Sequence, residues 1–557
     1  MRWCLGFVCA LAAISACRSA PPAAPPHAAH GAAAAAAAPA SELLPGLGAH
    51  RHPITTRSAE AQAFFDQGLA LLYGFNHDAA AHAFRRAAEL DPAAAMPYWG
   101  LALSIGPNYN DTAVDAARAR ATYDAVRAAL ARADRASPRE RDYVAAVARR
   151  YASPDPGSDW LALHRDYSAA MRELTRKYPD DLDAATFFAE SLMMLRPWQL
   201  WSAKGEPAPG TLELVAVLEG VLKRDPLHPG ANHFYIHAVE ASKNLERAIP
   251  SANRLMQLVP GAGHLVHMPG HIFLQTGDYE LAAATNVAAA EADRVFVERT
   301  GATGMYPLMY WTHNHHFVAY ARLQQGRHAE ALAAAREMVE IVKGDVLSMQ
   351  MLEGFTTYPL AVQLAFRRAD AVLAEPAPDP SWKLATAFWH YARGVAHAAR
   401  RETAAALEER ARFEAARRAV PAEHRYLINN AASDFLAVAA ATLDAEIASA
   451  RGEIEATLSH WKRAAELQAA LQYDEPPPWY EPVAQRHGGA LLRADRAREA
   501  ELVFRRGLDA KPRDGRMLFG LWQSLLAQQR SADAALVERQ FLAAWERASE
   551  PLRSEAL

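Results

Sequence analysis

The chain has 557 residues, a formal net charge of -4 and 51% hydrophobic residues, too long for one compact core, so several domains or an extended repeat array are expected. Acidic and basic residues are interspersed and no long basic stripe occurs, which excludes nucleic acid as a partner. Abundant alanine and few β-branched runs favour helices throughout.

All three cysteines, Cys4, Cys9 and Cys17, fall in the opening MRWCLGFVCALAAISACRS. Arg2 gives a positive start, and Leu5 to Ile14 form an apolar run too short to span a bilayer as a stable helix. The stretch therefore reads as an export signal. Ile14-Ser15-Ala16-Cys17 resembles the lipobox of bacterial lipoproteins. The resemblance implies removal of residues 1–16, lipid on the Cys17 thiol, and an exported protein held to a membrane by that lipid. Arg18 stands where a lipoprotein retained in the inner membrane often carries Asp. By the same resemblance the outer membrane is favoured, with the protein facing the periplasm. No pair of cysteines then remains, so stability must come from packing. Residues 17–55 read as the lipidated cysteine and an Ala/Pro-rich flexible tether. His27, His30, His50 and His52 lie in or beside it and are expected to be solvated.

From residue 56 the pattern turns helical and repeats. Counting Ala61 as position one, Gly68 is eighth, Ala80 twentieth, Phe84 twenty-fourth, Ala87 twenty-seventh and Pro92 thirty-second. Small residues stand where two helices cross closely, large ones fill between, and proline ends the second helix. Comparable frames start at Pro229, Gly263, Thr312 and Glu481, the others being degenerate. PWQLWSAKGEPAPG, ending at Gly210, interrupts one pair as a loop insertion. This spacing resembles the tetratricopeptide repeat, a helix–turn–helix unit of about 34 residues. The runs HFYIHAVEAS, GAGHLVHMPGHIF and EPPPWY are similar to bacterial tetratricopeptide proteins of unassigned activity. The resemblance implies an all-α, right-handed α-solenoid. Its expected regions are 56–228, a His-rich 229–345, and 346–547.

In that family, positions two, five, nine and twelve of the first helix share the face that looks into the concave groove. Eight of the 22 histidines lie between residues 231 and 316. His233, His237 and Glu240 fall at positions five, nine and twelve of one unit, and His264, His267 and His271 at two, five and nine of the next. His313, His316 and Tyr320 take the same three places in the third; only His315 is off the stripe. Neutral imidazole is a common ligand for zinc, copper and iron, and histidines four apart on a helix can grip one ion. A transition metal is accordingly expected on the seven stripe histidines. Glu240 would serve as an oxygen ligand or hold a histidine from behind, and Met256, Met268, Met305 and Met309 would tilt the site toward copper. Pro269-Gly270 breaks this helix among the histidines. Either it shapes the backbone for them, or the helix starts at Pro269 and leaves His264 and His267 on a loop.

Two other readings fit the same stripe: a His/Tyr/Asn lining that captures a peptide or small molecule without metal, and a structural polar core. The first is the usual work of a protein-binding scaffold of this repeat family. No catalytic residue is assigned. Phe234 stands where a zincin would need its glutamate, and no phosphate loop, nucleophile elbow or cysteine site occurs. An enzyme here would be metal-dependent, with an open coordination position and an acid such as Glu240. His77 with Asn76, Asn108 with Asn110, and Glu190 on an apolar helix face are further candidates to line the groove. Trp198, Trp201, Trp479 and Tyr480 read as packing for inserted loops.

Overall fold

The computed structural model describes residues 42–202, 204–554 and 557. The export signal, Cys17, His27 and His30 lie outside the described residues. The molecule is all-α, built from helix pairs that pack one after another; the described residues add a single two-stranded ribbon, Arg425–Tyr426 with Asn430–Ala431. Its repeat chemistry matches the expected frame. Ser58 caps the helix Ala59–Tyr73 and Asn76 caps its partner His77–Leu90, each side-chain oxygen taking an otherwise orphaned backbone N–H. Phe84 lies so close to its neighbours that a Cβ would come within 2.8 Å of its ring at Gly68 and 2.5 Å at Gly100. Near the other end, Phe504 sits the same way between Gly488 and Gly520, at 2.4 and 2.2 Å. One packing rule thus governs units more than four hundred residues apart. The insertion separates the helices Leu182–Met193 and Thr211–Arg224, as its composition implied.

The array coils back on itself. Asn110 donates to Tyr310 and Gln275 to Glu475, each pair 200 residues apart in sequence. Lys511 reaches Gln275 at 2.7 Å, and Ser549 donates to the Gly326 carbonyl at 3.0 Å. Successive turns of the superhelix therefore touch, and the stripe histidines line an interior rather than an open groove: His233 is 0% exposed, His264 4%.

The start of the described chain corrects one expectation. Residues 42–55 lie against the solenoid, with Leu44 and Ile54 donating backbone N–H groups to Gln67 and Gln62. His50 and His52 are not solvated linker residues; both bond Asp183. No helix among the described residues is long and apolar enough to cross a membrane.

Candidate metal centre

Three consecutive first helices bring the histidines together. The helix Pro229–Val239 starts with proline at a position whose N–H would be unbonded anyway, and carries His233 and His237 one turn apart. In the second unit Pro269 lacks the N–H that would reach Leu265, so the helix divides into Gly263–His267 and Pro269–Thr276. Met268 between them keeps helical angles, φ -51° and ψ -35°. His264 and His267 are therefore on a helical turn, not a loop, and stay in line with His271. Gly270 has its own reason: a Cβ there would stand 2.3 Å from Asn286 Nδ2. Its absence lets Asn286, from the facing helix Tyr279–Thr300, reach His267. In the third unit a π-helical stretch Tyr306–Trp311 runs into the helix Thr312–Gln324, which carries His313.

Six imidazoles meet in two groups of three, His233 with His237 and His264, and His267 with His271 and His313; within each group the ligand atoms lie within 4.8 Å of one another. The groups adjoin, with the His264 and His267 rings 5.5 Å apart and those of His237 and His271 5.6 Å apart. Glu240 lies between them. It accepts from His237 Nδ1 on one oxygen at 2.9 Å and from His271 Nδ1 on the other at 2.6 Å. Burial alone would raise the Glu240 carboxyl, but the His237 and His271 imidazoles outweigh it and bring it down to about 2. An ionised carboxylate only accepts, so both rings carry their Nδ1 proton. Asn286 donates its amide to the Ala282 carbonyl, which turns its oxygen toward His267 Nδ1 at 2.6 Å. The Nδ1 proton of His267 is fixed in the same way.

The consequence is electrostatic. In the neutral rings, His267 Nε2 and His271 Nε2 both present lone pairs, and they stand 2.7 Å apart. Bare acceptors repel at that distance unless a cation sits with them. Burial, and after it the neighbouring imidazoles, holds His233, His264, His267 and His313 well below the ordinary histidine range. His271 is lowered too, by burial against the opposing pull of Glu240. Those rings stay in the neutral, ligand-competent form. His237 Nε2 is buried without any hydrogen-bond partner.

A residue that sequence reasoning missed completes the wall. Glu475 arrives from the next superhelical turn, with Oε2 buried, without a hydrogen bond, and 3.2 Å from the His271 Nδ1 already engaged by Glu240. Burial, and then the charge of Glu240, pushes its carboxyl well above the usual range. Phe75 stacks on His237 and His264 at 5.7 and 5.4 Å, and Phe317 covers His271 at 5.1 Å.

The other candidates are placed elsewhere. His316 ends 6.4 Å from the His313 ring, against Tyr358 at 4.5 Å, and joins neither group. His77 is screened from the imidazoles by Phe75, with which it stacks at 5.8 Å. Glu190 pairs with Arg150 through two 3.0 Å hydrogen bonds. Tyr320 is buried, and burial, then the charge of Asp514, raises its hydroxyl. Met268 and Met309 belong to the apolar core, with Met256 and Met305 packed against it. Of the aromatic candidates, Trp198 meets the His237 ring at 5.9 Å, while Trp201 ties the insertion to the Ala238 carbonyl at 2.7 Å. Trp479 and Tyr480 are buried in the core.

A second cluster forms outside this centre. Asp183 accepts from His50 Nε2 at 2.9 Å, His52 Nδ1 at 2.8 Å and Tyr73 Oη at 2.6 Å, and its Oδ1 lies 3.2 Å from His228 Nε2. His228 Nδ1 accepts the Ala231 N–H at 3.1 Å, so its proton is on Nε2, facing the carboxylate.

No protein-family model and no curated protein matches the sequence. Among solved structures, a match is the crystal structure of the APC/C hetero-tetramer Cut9-Hcn1, at 13% identity and a TM-score of 0.30, covering 88% of this chain and 76% of that one.

Proposed function

We propose that this solenoid is a metal-binding scaffold of the cell envelope, anchored through Cys17 and holding a transition metal at His267, His271 and His313. The fold itself is a tetratricopeptide-like helical scaffold, a class that presents extended surfaces to other proteins. The metal reading is carried by one observation, the two Nε2 lone pairs facing each other at 2.7 Å with both Nδ1 protons already committed. Carboxylate or amide acceptors behind ligating histidines are the usual way of fixing that tautomer. The donors are imidazole nitrogens, with the methionines packed in the core, which favours zinc, copper(II) or iron over copper(I).

Elemental analysis of the purified full chain tests this. Stoichiometric metal is expected, and it should be lost when His267 and His271 are both replaced by alanine. A metal-free wild type that stays metal-free after incubation with zinc, copper(II) and iron(II) would sink the reading. The scaffold with a polar core would then stand alone.

A further inference from the structure

We infer that the centre is built for two ions, the second held by His233, His237 and His264, with Glu240 as the link between them. This rests on the metal reading proposed above and extends it. The tautomer argument extends to two rings of the second group, His233 and His237. His233 Nδ1 lies 2.5 Å from the Tyr73 carbonyl, which can only accept, so the neutral ring carries its proton there and its lone pair on Nε2. His237 donates from Nδ1 to Glu240, leaving Nε2 buried and without a partner. His264 Nε2 stands 3.2 Å from His233 Nε2, near the separation of about 3.3 Å between two nitrogens on one tetrahedral ion with bonds of about 2.0–2.1 Å.

The two groups share no histidine, so each can hold an ion of its own. What they share is the carboxylate behind them: Glu240 engages His237 with Oε1 and His271 with Oε2. A cation on either Nε2 makes the opposite Nδ1–H a stronger donor and draws charge from the same carboxylate. Glu240 therefore orients one ligand of each ion, and its loss must be felt at both. Glutamine cannot replace it. Its amide would turn an N–H toward one of two rings that themselves donate, forcing one histidine into the wrong tautomer.

The test is a metal count on the purified full chain saturated with zinc and dialysed, with zinc affinity measured by chelator competition. Two ions per chain are expected for the wild type. One should remain in H237A/H264A, and one in H267A/H271A. Glu240→Gln should weaken zinc by about 10–100-fold at one or both positions, the usual effect of removing a group behind a ligating histidine. One ion per chain, kept in H237A/H264A and lost in H267A/H271A, would overturn the second ion and leave the proposed function standing. One ion lost in either double variant would mean a single shared site and would likewise overturn it. No ion at all removes both readings. The wild-type count needs no variant to fold, and anomalous scattering at the zinc edge supplies a second check, with two peaks expected on either side of Glu240.

Discussion

The two histidine clusters of this molecule contain the same kinds of atoms at the same distances and do opposite things with their protons. Around Asp183, the His50, His52, His228 and Tyr73 side chains all point hydrogens at one carboxylate. In the interior centre His233, His237, His267 and His271 turn their Nδ1 protons outward, to the Tyr73 carbonyl, Glu240 and Asn286, and direct Nε2 inward. The first arrangement is closed by its own hydrogens. The second leaves Nε2 atoms facing one another, the arrangement on which the proposed metal site rests. A grouping by distance alone does not separate them, since each contains three potential ligands within 4.8 Å. The fate of the second ring nitrogen does.

The largest expected effect is at the closed cluster. Asp183→Ala leaves three imidazoles and a buried hydroxyl without their acceptor, and removing one partner of a buried charged network costs about 3–5 kcal/mol. Urea unfolding of the metal-free chain should show that loss, while the metal content of the purified protein stays unchanged. A fall in metal content would erase the distinction drawn between the clusters, because Asp183 would then be acting as a ligand.

A smaller effect is expected where the interior centre is oriented. Asn286→Ala removes the acceptor that fixes the Nδ1 proton of His267, and affinity for zinc at that group should fall by about 10–100-fold. The His233 group should keep its affinity. Equal weakening of both groups would mean that Asn286 supports the helix packing rather than one tautomer.

What the sequence disclosed and what it hid follow the range of the contacts. The spacing of Gly68, Ala80, Phe84 and Pro92 is readable because a repeat repeats its local packing, and the stripe spacing names the six histidines that the structure gathers into two adjoining groups. His316 obeys the same spacing, yet it continues past His313 to the aromatic side chains of the following helices. Glu190 looked available because its partner Arg150 is 40 residues away. Glu475 was invisible for a stronger reason: it comes from a neighbouring superhelical turn, and no periodicity within a unit encodes how tightly the turns close. Asn286 is legible as a lone amide in the alanine-rich run LAAATNVAAA, but nothing local marks it as the partner of His267. His50 and His52 were misplaced because composition assigned their whole stretch to a tether, whereas the Asp183 they bind is 133 and 131 residues away.

The gentlest way to sharpen the comparison is pH, because the clusters respond to it in opposite directions. Burial would lower His50 and His52, but the hydrogen bond to Asp183 and its charge outweigh burial and raise both. Asp183 itself is held well below the carboxylate range; burial opposes this, and the hydrogen bonds from His228, His50 and His52 prevail. Histidines raised above their unfolded value of about 6.5 add stability that is complete below that pH and is lost as pH rises through the folded value. The interior behaves inversely. Burial first, and then the neighbouring imidazoles, keeps His233, His264, His267 and His313 well below the ordinary histidine range. Below about pH 6.5 the unfolded chain binds protons that these folded rings refuse, so global stability must fall on acidification. Raising the pH from 6 to 9 should therefore loosen residues 42–55 while the solenoid keeps its cooperative unfolding. Lowering it from 7 to 5 should weaken the solenoid while that segment stays attached. Hydrogen exchange across residues 42–55, followed beside urea unfolding at each pH, reads the two responses separately. Loss of protection in that segment at acid pH and not at alkaline pH would show that its histidines hold Asp183 as neutral donors, and the contrast between the clusters would then rest on tautomers alone.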